Sequence, residues 1–306
     1  MVKAQPDTDN GPMNERHADS RRAGTSDPII DVRNLTKVYG SVTAIDGISF
    51  TIERGEIFAL LGPNGAGKST TVEILEGYRG RTGGDVRVLG TDPTEPNRAW
   101  RSKLGIVLQS SKITDEITVL EALKLTASYY GGPRPPNEVI ELVGLEEKAN
   151  SRVSKLSGGQ QRRLDVGLAI VGRPELLFLD EPTTGFDPEA RRQFWSLIEM
   201  LRNEGTTILL TTHYLDEAEV LADRVGVIAS GRMIDIAAPG RLGGRDRAMT
   251  VVRWKGSNGP EERETHNPTE VVVELATRFN GDIPELSVTR PSLEDTYLQM
   301  IGEAAK

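Results

Sequence analysis

The residues from Gly62 to Thr70 have the types and the spacing needed to hold a chain of phosphates. They fit the pattern G-x-x-x-x-G-K-S/T, whose glycines let backbone N–H groups wrap a polyphosphate, because no Cβ blocks the approach. In such a loop Lys68 reaches the terminal phosphates and the Ser69 hydroxyl can hold Mg²⁺. The sequence therefore predicts a nucleotide site made by Gly62, Pro63, Asn64, Gly65, Ala66, Gly67, Lys68, Ser69 and Thr70.

Asp180 and Glu181 are adjacent carboxylates that follow the apolar run from Leu176 to Leu179. A continuous apolar run of this kind is typical of a buried parallel strand. Two carboxylates at the end of such a strand are costly unless a cation or a proton pairs with them. Asp180 suits the holding of Mg²⁺, and Glu181 suits a general base that orients water. A solvated acidic turn is the alternative, and the apolar run disfavours it.

Three other side chains stand where apolar segments end. Gln109 follows the run 104–108, where it could begin a loop or act as a ligand at the carboxyl end of a strand. His213 follows the run 207–212; a lone histidine is usually structural, but this strand end faces the same predicted site. Tyr39, just before a glycine, is either a packing residue at a strand end or a ring on which a base stacks.

A second candidate anion site lies at Ser157, Gly158, Gly159 and Gln160, which open a helical pattern. Serine followed by glycines at a helix start leaves backbone N–H groups free to face an anion. Taken alone the segment predicts only a helix cap. In a chain that binds a nucleotide, it becomes a candidate phosphate contact.

The phosphate loop needs a strand before it and a helix after it, and the sequence supplies both at 57–61 and 71–75. Alternating segments from Ile29 to Phe50 predict antiparallel strands, and helical spacing from about 117 to 155 predicts a helical insertion. The predicted divisions are a disordered tail at 1–27, a nucleotide-binding unit at 28–240 with a helical subdomain at about 110–160, and a small α+β domain at 241–306. Gly240 to Arg245 has the composition of a linker.

Composition excludes several classes of protein. With 45 acidic and 37 basic residues the net charge is -8, which disfavours sequence-independent binding of nucleic acid. No apolar run is long enough to cross a bilayer, so we do not expect the chain itself to be a channel or carrier. The absence of cysteine excludes disulfides, thiolate metal sites and thiol catalysis.

Together these segments resemble the nucleotide-binding subunit of an ABC transporter. The resemblance covers about residues 29–236 and depends on residues 156–160 ahead of 176–181, with Gln109 before them and His213 after them. It implies an α/β fold, the P-loop NTPase cassette of ABC ATPases, with an antiparallel β subdomain and a helical subdomain. A small C-terminal α+β appendage completes the expected architecture.

The resemblance also implies an ATPase that uses ATP and Mg²⁺. By resemblance Tyr39 stacks on adenine, Glu181 is the catalytic base, and His213 contacts the γ-phosphate. Gln109 is expected to assist catalysis. The ligands expected for the metal are Ser69, Gln109 and Asp180.

A dimer follows from the same resemblance. In these ATPases the segment that matches Ser157 to Gln160 caps the ATP held by the phosphate loop of the other cassette. One cassette per chain therefore implies a homodimer or a heterodimer that closes on ATP and opens after hydrolysis. Asp187 matches the loop that communicates across the dimer, and Phe186 stands where a smaller aliphatic residue is more usual.

The branch of the family is predicted from residues 212–219 and 290–298. Both look like the bacterial exporters of the daunorubicin and multidrug resistance type, in which a separate polytopic ABC-2 permease carries the substrate. We therefore expect a motor subunit at the cytoplasmic face of the cell membrane, docked on its permease near Gln109 and the helical insertion. The expected cargo is a drug, an antibiotic or a lipid-like molecule.

Two alternatives stay open. A soluble ABC ATPase of DNA repair or translation typically carries a long coiled-coil insertion or two cassettes in one chain, and this sequence has neither. The motor of an importer is disfavoured by the short segment after about residue 240.

Overall fold

The computed structural model describes residues 27–107, 116–257 and 259–304. Gln109 and residues 1–26 of the predicted tail lie outside the described residues. The strands in chain order are β1 (Ile30–Tyr39), β2 (Val42–Ile52), β3 (Ile57–Leu61), β4 (Gly83–Val88), β5 (Leu104–Val107), β6 (Leu176–Asp180), β7 (Thr207–Thr211), β8 (Arg224–Ala229), β9 (Arg232–Ala237), β10 (Thr250–Gly256), β11 (Gly259–Thr265) and β12 (Ser287–Thr289). The helices are α1 (Lys68–Leu75), α2 (Arg98–Arg101), α3 (Val119–Ala127), α4 (Pro136–Leu142), α5 (Gly158–Ile170), α6 (Pro188–Asn203), α7 (Leu215–Leu221), α8 (Pro268–Arg278) and α9 (Leu293–Ala304).

The predicted antiparallel strands form a sheet with the order β2-β1-β4. Alternate residues of its strands are buried, among them Ile30, Val32 and Phe50. A two-residue alternation puts these side chains on one face of the sheet, where they pack against the core. This sheet therefore covers one side of the nucleotide-binding unit.

The central sheet has the order β5-β6-β7-β3-β8-β9. Its strands run parallel except β9, which is antiparallel to β8. Every residue of β3 and of β7 is buried, as expected for parallel strands covered on both faces. Because β7 lies between β6 and β3, the carboxyl ends of these three strands meet at one edge of the sheet. Ligands bind at such an edge in open α/β sheets.

The predicted helical insertion is present between β5 and β6 as α3, α4 and α5. Each helix places aliphatic side chains in one core cluster with the central sheet, for example Leu123, Val139 and Leu164. The Thr118 hydroxyl and the Glu121 carboxylate form a capping box that begins α3. The insertion thus holds the start of α5 beside the sheet.

The C-terminal segment contains a second antiparallel sheet, β11-β10-β12, on which α8 packs through Val252, Trp254, Val271 and Leu275. The interpretation of Gly240 to Arg245 as a linker differs from the structure. Residues Leu242–Arg247 form short 3₁₀ turns interrupted by Gly243 and Gly244, which have φ of +58° and +77°, and Leu242 is fully buried. Within residues 27–107, 116–257 and 259–304, no helix has the length and apolarity that a membrane span requires.

Candidate functional site

The phosphate loop joins the buried strand β3 to the start of α1. Gly65 and Gly67 have φ of +78° and +107°, a region that favours glycine. A Cβ on Gly62 would overlap the carbonyl oxygen of Ile228. The backbone angles at Gly65 and Gly67 and the close approach of Ile228 to Gly62 therefore favour glycine at these three positions.

Lys68 places a positively charged ammonium group inside the phosphate loop. Its Nζ atom donates to the carbonyl oxygens of Gly62 at 2.7 Å and Pro63 at 3.2 Å, and the residue is 8% exposed. Burial lowers the pKa of Lys68, whereas the carboxylates of Glu181 and Asp180 oppose that shift. The Lys68 ammonium therefore lies close enough to interact with the predicted base Glu181 and the predicted metal ligand Asp180.

Asp180 is the last residue of β6 and is paired in register with Thr211 of β7. The Thr211 hydroxyl donates to Asp180 Oδ1, and the Arg162 guanidinium of α5 donates to the carbonyl oxygen of Asp180. Arg162 also donates to the carbonyl oxygen of Pro182 at 3.3 Å. Both the carboxylate and the backbone of Asp180 are therefore fixed by neighbouring elements.

Glu181 adopts φ of +47°, which is uncommon for a residue that carries a side chain. Its backbone N–H donates to the Thr211 carbonyl oxygen at 3.0 Å. This conformation costs about 1–2 kcal/mol and is typical of functional sites. Here it turns the Glu181 side chain out of the strand direction and towards His213, whose Nδ1 lies 3.3 Å from Glu181 Oε2.

The structure brings Lys68, Asp180, Glu181 and His213 to one end of the central sheet. Among the described residues, Ser157 makes no hydrogen bond to any of these four. Ser157 caps α5 in a capping box, since its hydroxyl accepts from the Gln160 N–H at 3.3 Å while its N–H donates to Gln160 Oε1 at 3.0 Å. No hydrogen bond or ion pair joins residues 157–160 to the phosphate loop, although both segments are described. The exposed cap instead opens on a groove shared with Glu181 and Asp187.

Tyr39 ends β1 and is 38% exposed, so its ring is accessible. The Lys37 ammonium lies 4.8 Å from the ring centroid and the Arg79 guanidinium lies 5.5 Å from it. Cations over the ring are attracted by its negative face. A partly exposed aromatic ring held in this way is suited to stacking.

Asp187 caps α6, with Oδ1 accepting from the N–H groups of Ala190 at 2.8 Å and Glu189 at 3.0 Å. The Ala190 N–H leads the interactions that lower the pKa of Asp187. Phe186 packs edge-on against Phe194, with ring centroids 6.0 Å apart. The larger aromatic residue at position 186 therefore contributes to the core beside the groove.

Ser69 and Asp180, two of the residues predicted to hold Mg²⁺, would supply only part of its coordination shell. Ser69 and Asp180 line one cleft and supply the oxygen ligands that Mg²⁺ prefers. Among the described residues, no group of three or more histidine, cysteine, aspartate and glutamate side chains could hold a metal. In nucleotide sites Mg²⁺ is held by one or two protein ligands, and phosphates and water complete its shell.

Sequence reasoning missed two charged residues near the site. Arg162 lies in α5 and is 8% exposed, and Glu217 lies in α7 and is fully buried. Arginine or glutamate in a helical pattern usually marks the solvated face, so neither residue stood out. Burial lowers the pKa of Arg162 and raises that of Glu217.

Comparisons with known proteins place these features in context. The model of the family described as ABC transporter matches residues 45–184. The chain is 41% identical over 258 residues to the Nod factor export ATP-binding protein I of Ralstonia nicotianae, covering 82% of this chain and 80% of that protein. It is 42% identical over 296 residues to the protein of the same name from Paraburkholderia xenovorans, covering 89% and 97%.

Solved structures of ATP-binding cassettes are similar in fold to this chain. An ATP binding subunit of an ABC transporter superposes with a TM-score of 0.67 at 23% identity, covering 89% of this chain and 99% of that one. A dimeric ATP-binding cassette in a post-hydrolysis state, bound to ADP and Pi, superposes with a TM-score of 0.63 at 25% identity, covering 68% and 98%.

Proposed function

Because the chain belongs to the ABC transporter family, we propose that it is the ATP-hydrolysing motor of a membrane exporter that works with a separate permease chain. The predicted fold of an ABC ATPase cassette is confirmed, and the chain is an ATPase. The observation that carries the proposal is that similarity to export ATP-binding proteins reaches 97% of a relative's length and extends beyond the cassette. We also propose the boundaries 28–240 and 241–306 for the cassette and the C-terminal domain.

The positions of the described residues support a separate role for each of them in ATP hydrolysis. The N–H groups of residues 62–70 and the Lys68 ammonium bind the phosphates of ATP. Glu181 accepts a proton from the attacking water, and His213, 3.3 Å from Glu181, orients that carboxylate and meets the γ-phosphate. Tyr39 stacks on adenine. Mg²⁺, when bound, neutralises phosphate charge, and Ser69, Asp180 and Gln109 are the residues that would hold it.

Two cassettes are needed for a complete site in this proposal. Residues 157–160 are exposed or partly exposed and make no hydrogen bond to the phosphate loop of their own chain. The Ser157 and Gln160 N–H groups are used in the capping box, which leaves the N–H groups of Gly158 and Gly159 and the Ser157 hydroxyl proton for an ATP held by a second cassette. The partner is either a second copy of this chain or a related cassette, and ATP closes the pair.

The partner in the membrane is a polytopic permease of the ABC-2 type, which places the motor at the cytoplasmic face of the membrane. Support comes from residues 212–219 and 290–298, which look like those of drug exporters, and from relatives that are named as Nod factor exporters. The proposed cargo is a drug, an antibiotic or a lipid-like molecule, with a Nod factor as a further candidate.

The insertion of short helices, α3 and α4, disfavours the soluble repair or translation ATPases, which carry a long coiled coil.

The test is to purify a tagged Glu181→Gln chain with ATP from detergent-solubilised membranes of the native host and to identify the proteins that accompany it. A co-purifying polytopic protein of about six spans would support the exporter. A tagged Lys68→Ala chain is the control, since it should lose ATP and with it the closed dimer. Recovery of a soluble dimer alone, or of ribosomal or repair proteins, would contradict the proposal.

A further inference from the structure

Arg162 is a buried arginine of α5 whose guanidinium contacts the backbone at the end of β6. Its Nη2 atom donates to the carbonyl oxygen of Asp180, and its Nε atom donates to the carbonyl oxygen of Pro182 at 3.3 Å. These two carbonyl groups belong to the residues on either side of Glu181 in the chain. Arg162 therefore binds the backbone immediately before and immediately after the proposed base.

The peptide group that joins Asp180 to Glu181 is held at both of its polar atoms. Its carbonyl oxygen accepts from Arg162, and its N–H, which belongs to Glu181, donates to the Thr211 carbonyl oxygen at 3.0 Å. Because a peptide group is planar, holding both atoms fixes the plane from which φ of the next residue is measured. The two contacts therefore oppose any rotation that would return Glu181 from φ of +47° to a negative value.

Arginine has the shape that this double contact requires. Its guanidinium is a rigid planar fork, and Nε–H and one Nη–H point outward from the same edge of the plane. A single side chain can thus donate to two carbonyl groups that are two residues apart. A lysine ammonium carries the same charge but has no fixed fork, so the contact depends on the geometry of the guanidinium as well as on its charge.

The helix that carries Arg162 is packed tightly enough to act as a fixed support. Leu164, Val166 and Ile170 of α5 are buried in the core cluster that includes residues of the central sheet. The capping box of Ser157 and Gln160 fixes the first turn of the same helix. Close-packed interiors leave little room for displacement, so Arg162 reaches the end of β6 from a nearly constant position.

We propose that Arg162 is a positioning residue, which holds the peptide group before Glu181 and so keeps the Glu181 carboxylate beside His213 and the attacking water. The inference rests on the proposed role of Glu181 in hydrolysis. Positive φ is costly for a residue with a side chain, so the surrounding contacts must maintain it. Without the guanidinium fork, the carbonyl groups of Asp180 and Pro182 lose their donors, and the segment can relax away from the conformation that sets the 3.3 Å contact of Glu181 with His213.

The first experiment replaces each of two buried arginines by lysine in the full chain. Arg162→Lys keeps a cation and removes the fork. We expect it to lower kcat for ATP hydrolysis about tenfold or more with KM for ATP within about twofold, because the base is displaced while the phosphate loop is unchanged. Arg134→Lys is the matched control, since Arg134 is 3% exposed and pairs with Glu204 and Glu138. It should lower the temperature of unfolding and leave kcat within about twofold of the parent.

Chemical rescue separates positioning from folding. Arg162→Ala removes the whole side chain and leaves space that a guanidinium ion can enter. At about 10 mM, far below the concentrations that unfold proteins, guanidinium should raise kcat of Arg162→Ala about threefold or more and leave the parent unchanged. Urea has a similar shape but no charge, so it forms weaker hydrogen bonds and should not restore turnover. This measurement decides the question if the Arg162→Lys chain folds poorly.

A double variant tests whether Arg162 acts through the base. Because Arg162→Lys and Glu181→Gln affect one group, their combination should hydrolyse ATP no more slowly than Glu181→Gln alone. A slower double variant would show that Arg162 acts elsewhere and would overturn the proposal.

Three other results would also overturn it: an unchanged kcat in Arg162→Lys, an equal loss of kcat in Arg134→Lys, or no effect of guanidinium on Arg162→Ala. Full turnover by Glu181→Gln alone would instead refute the proposed role of Glu181.

Discussion

His213 Nδ1 lies 3.3 Å from Glu181 Oε2, although the two residues follow different strands of the central sheet. The pairing of β6 with β7 brings them together, and the positive φ of Glu181 turns its side chain towards the imidazole. Thr184 Oγ1 donates to the same carboxylate oxygen at 3.5 Å. A carboxylate held from two sides at the edge of a nucleotide site has the geometry of an oriented base.

Glu181→Gln should retain ATP binding and lose hydrolysis. The amide keeps the shape of the side chain but cannot accept a proton, and a general base contributes about 100-fold or more to turnover. We expect ATP-bound dimers to accumulate, as measured by size-exclusion chromatography with ATP. The control is Glu189→Gln, which removes an exposed carboxylate eight positions later and should leave turnover intact. Unchanged hydrolysis by Glu181→Gln would remove Glu181 from the role of base.

The phosphate loop could be predicted from the sequence because its requirements are local. Gly65 and Gly67 need positive φ, and the apolar strand before the loop is visible in five consecutive residues. Asp180 at the end of β6 and Glu181 just after it could be predicted for the same reason, since a buried run leads directly to them. Local conformation and local hydrophobicity were sufficient to predict both the phosphate loop and the carboxylates at the end of β6.

The features that were missed depend on packing between distant segments. Residues 215–221 contain several acidic side chains, and only the contacts of α7 with the rest of the fold decide that Glu217 is the buried one. The strand β11 carries mostly charged residues, so it forms through its pairing with β10 and gives no apolar pattern. The turn at 242–247 was interpreted as a linker, but Arg245 joins it to Glu219 and to the Pro291 carbonyl oxygen.

Gly67→Ala should weaken ATP binding by about tenfold or more, because the residue has φ of +107° and a Cβ would lie 2.7 Å from the Ala44 carbonyl oxygen. The loop must shift to relieve this contact, which moves the N–H groups that bind phosphate. Fluorescent nucleotide titration measures the effect. Gly80→Ala is the matched control, since a Cβ there meets no atom within 4 Å. Equal affinities for the two variants would contradict the requirement for glycine at position 67.

Ser157→Ala should lower hydrolysis without weakening ATP binding to the isolated monomer. The serine caps α5, so its loss also costs about 1 kcal/mol of stability. Thr118→Ala removes the equivalent hydroxyl from the capping box of α3 and should cost a similar amount while leaving turnover intact. Binding is measured at a dilution where the chain is monomeric, and hydrolysis is measured as a function of protein concentration. Weaker binding by the monomer would contradict a role for Ser157 in a second cassette's site.

Glu204→Gln should destabilise the fold by about 1–2 kcal/mol at neutral pH, which lies between the values for exposed and buried ion pairs. Glu204 accepts from the buried Arg134 guanidinium, which keeps Glu138 as a second partner at 3.2 Å. The hydrogen bond from Arg134 lowers the pKa of Glu204 in the folded chain. Stability from this pair is therefore present above the ordinary carboxyl pKa and is lost as pH falls through the lowered pKa.

This pH dependence is tested by measuring the free energy of unfolding in urea for the parent and for Glu204→Gln from pH 7 downwards. The difference between the two chains should be largest at pH 7 and should shrink towards zero in acid, because a protonated Glu204 no longer pairs as a charge. Glu262→Gln is the control, since Glu262 pairs with Arg253 at 3.0 Å while both side chains are more than half exposed. Its effect should stay below about 0.5 kcal/mol because solvent screens the pair. A difference for Glu204→Gln that grows in acid would show that the carboxylate opposes, rather than stabilises, the buried arginine.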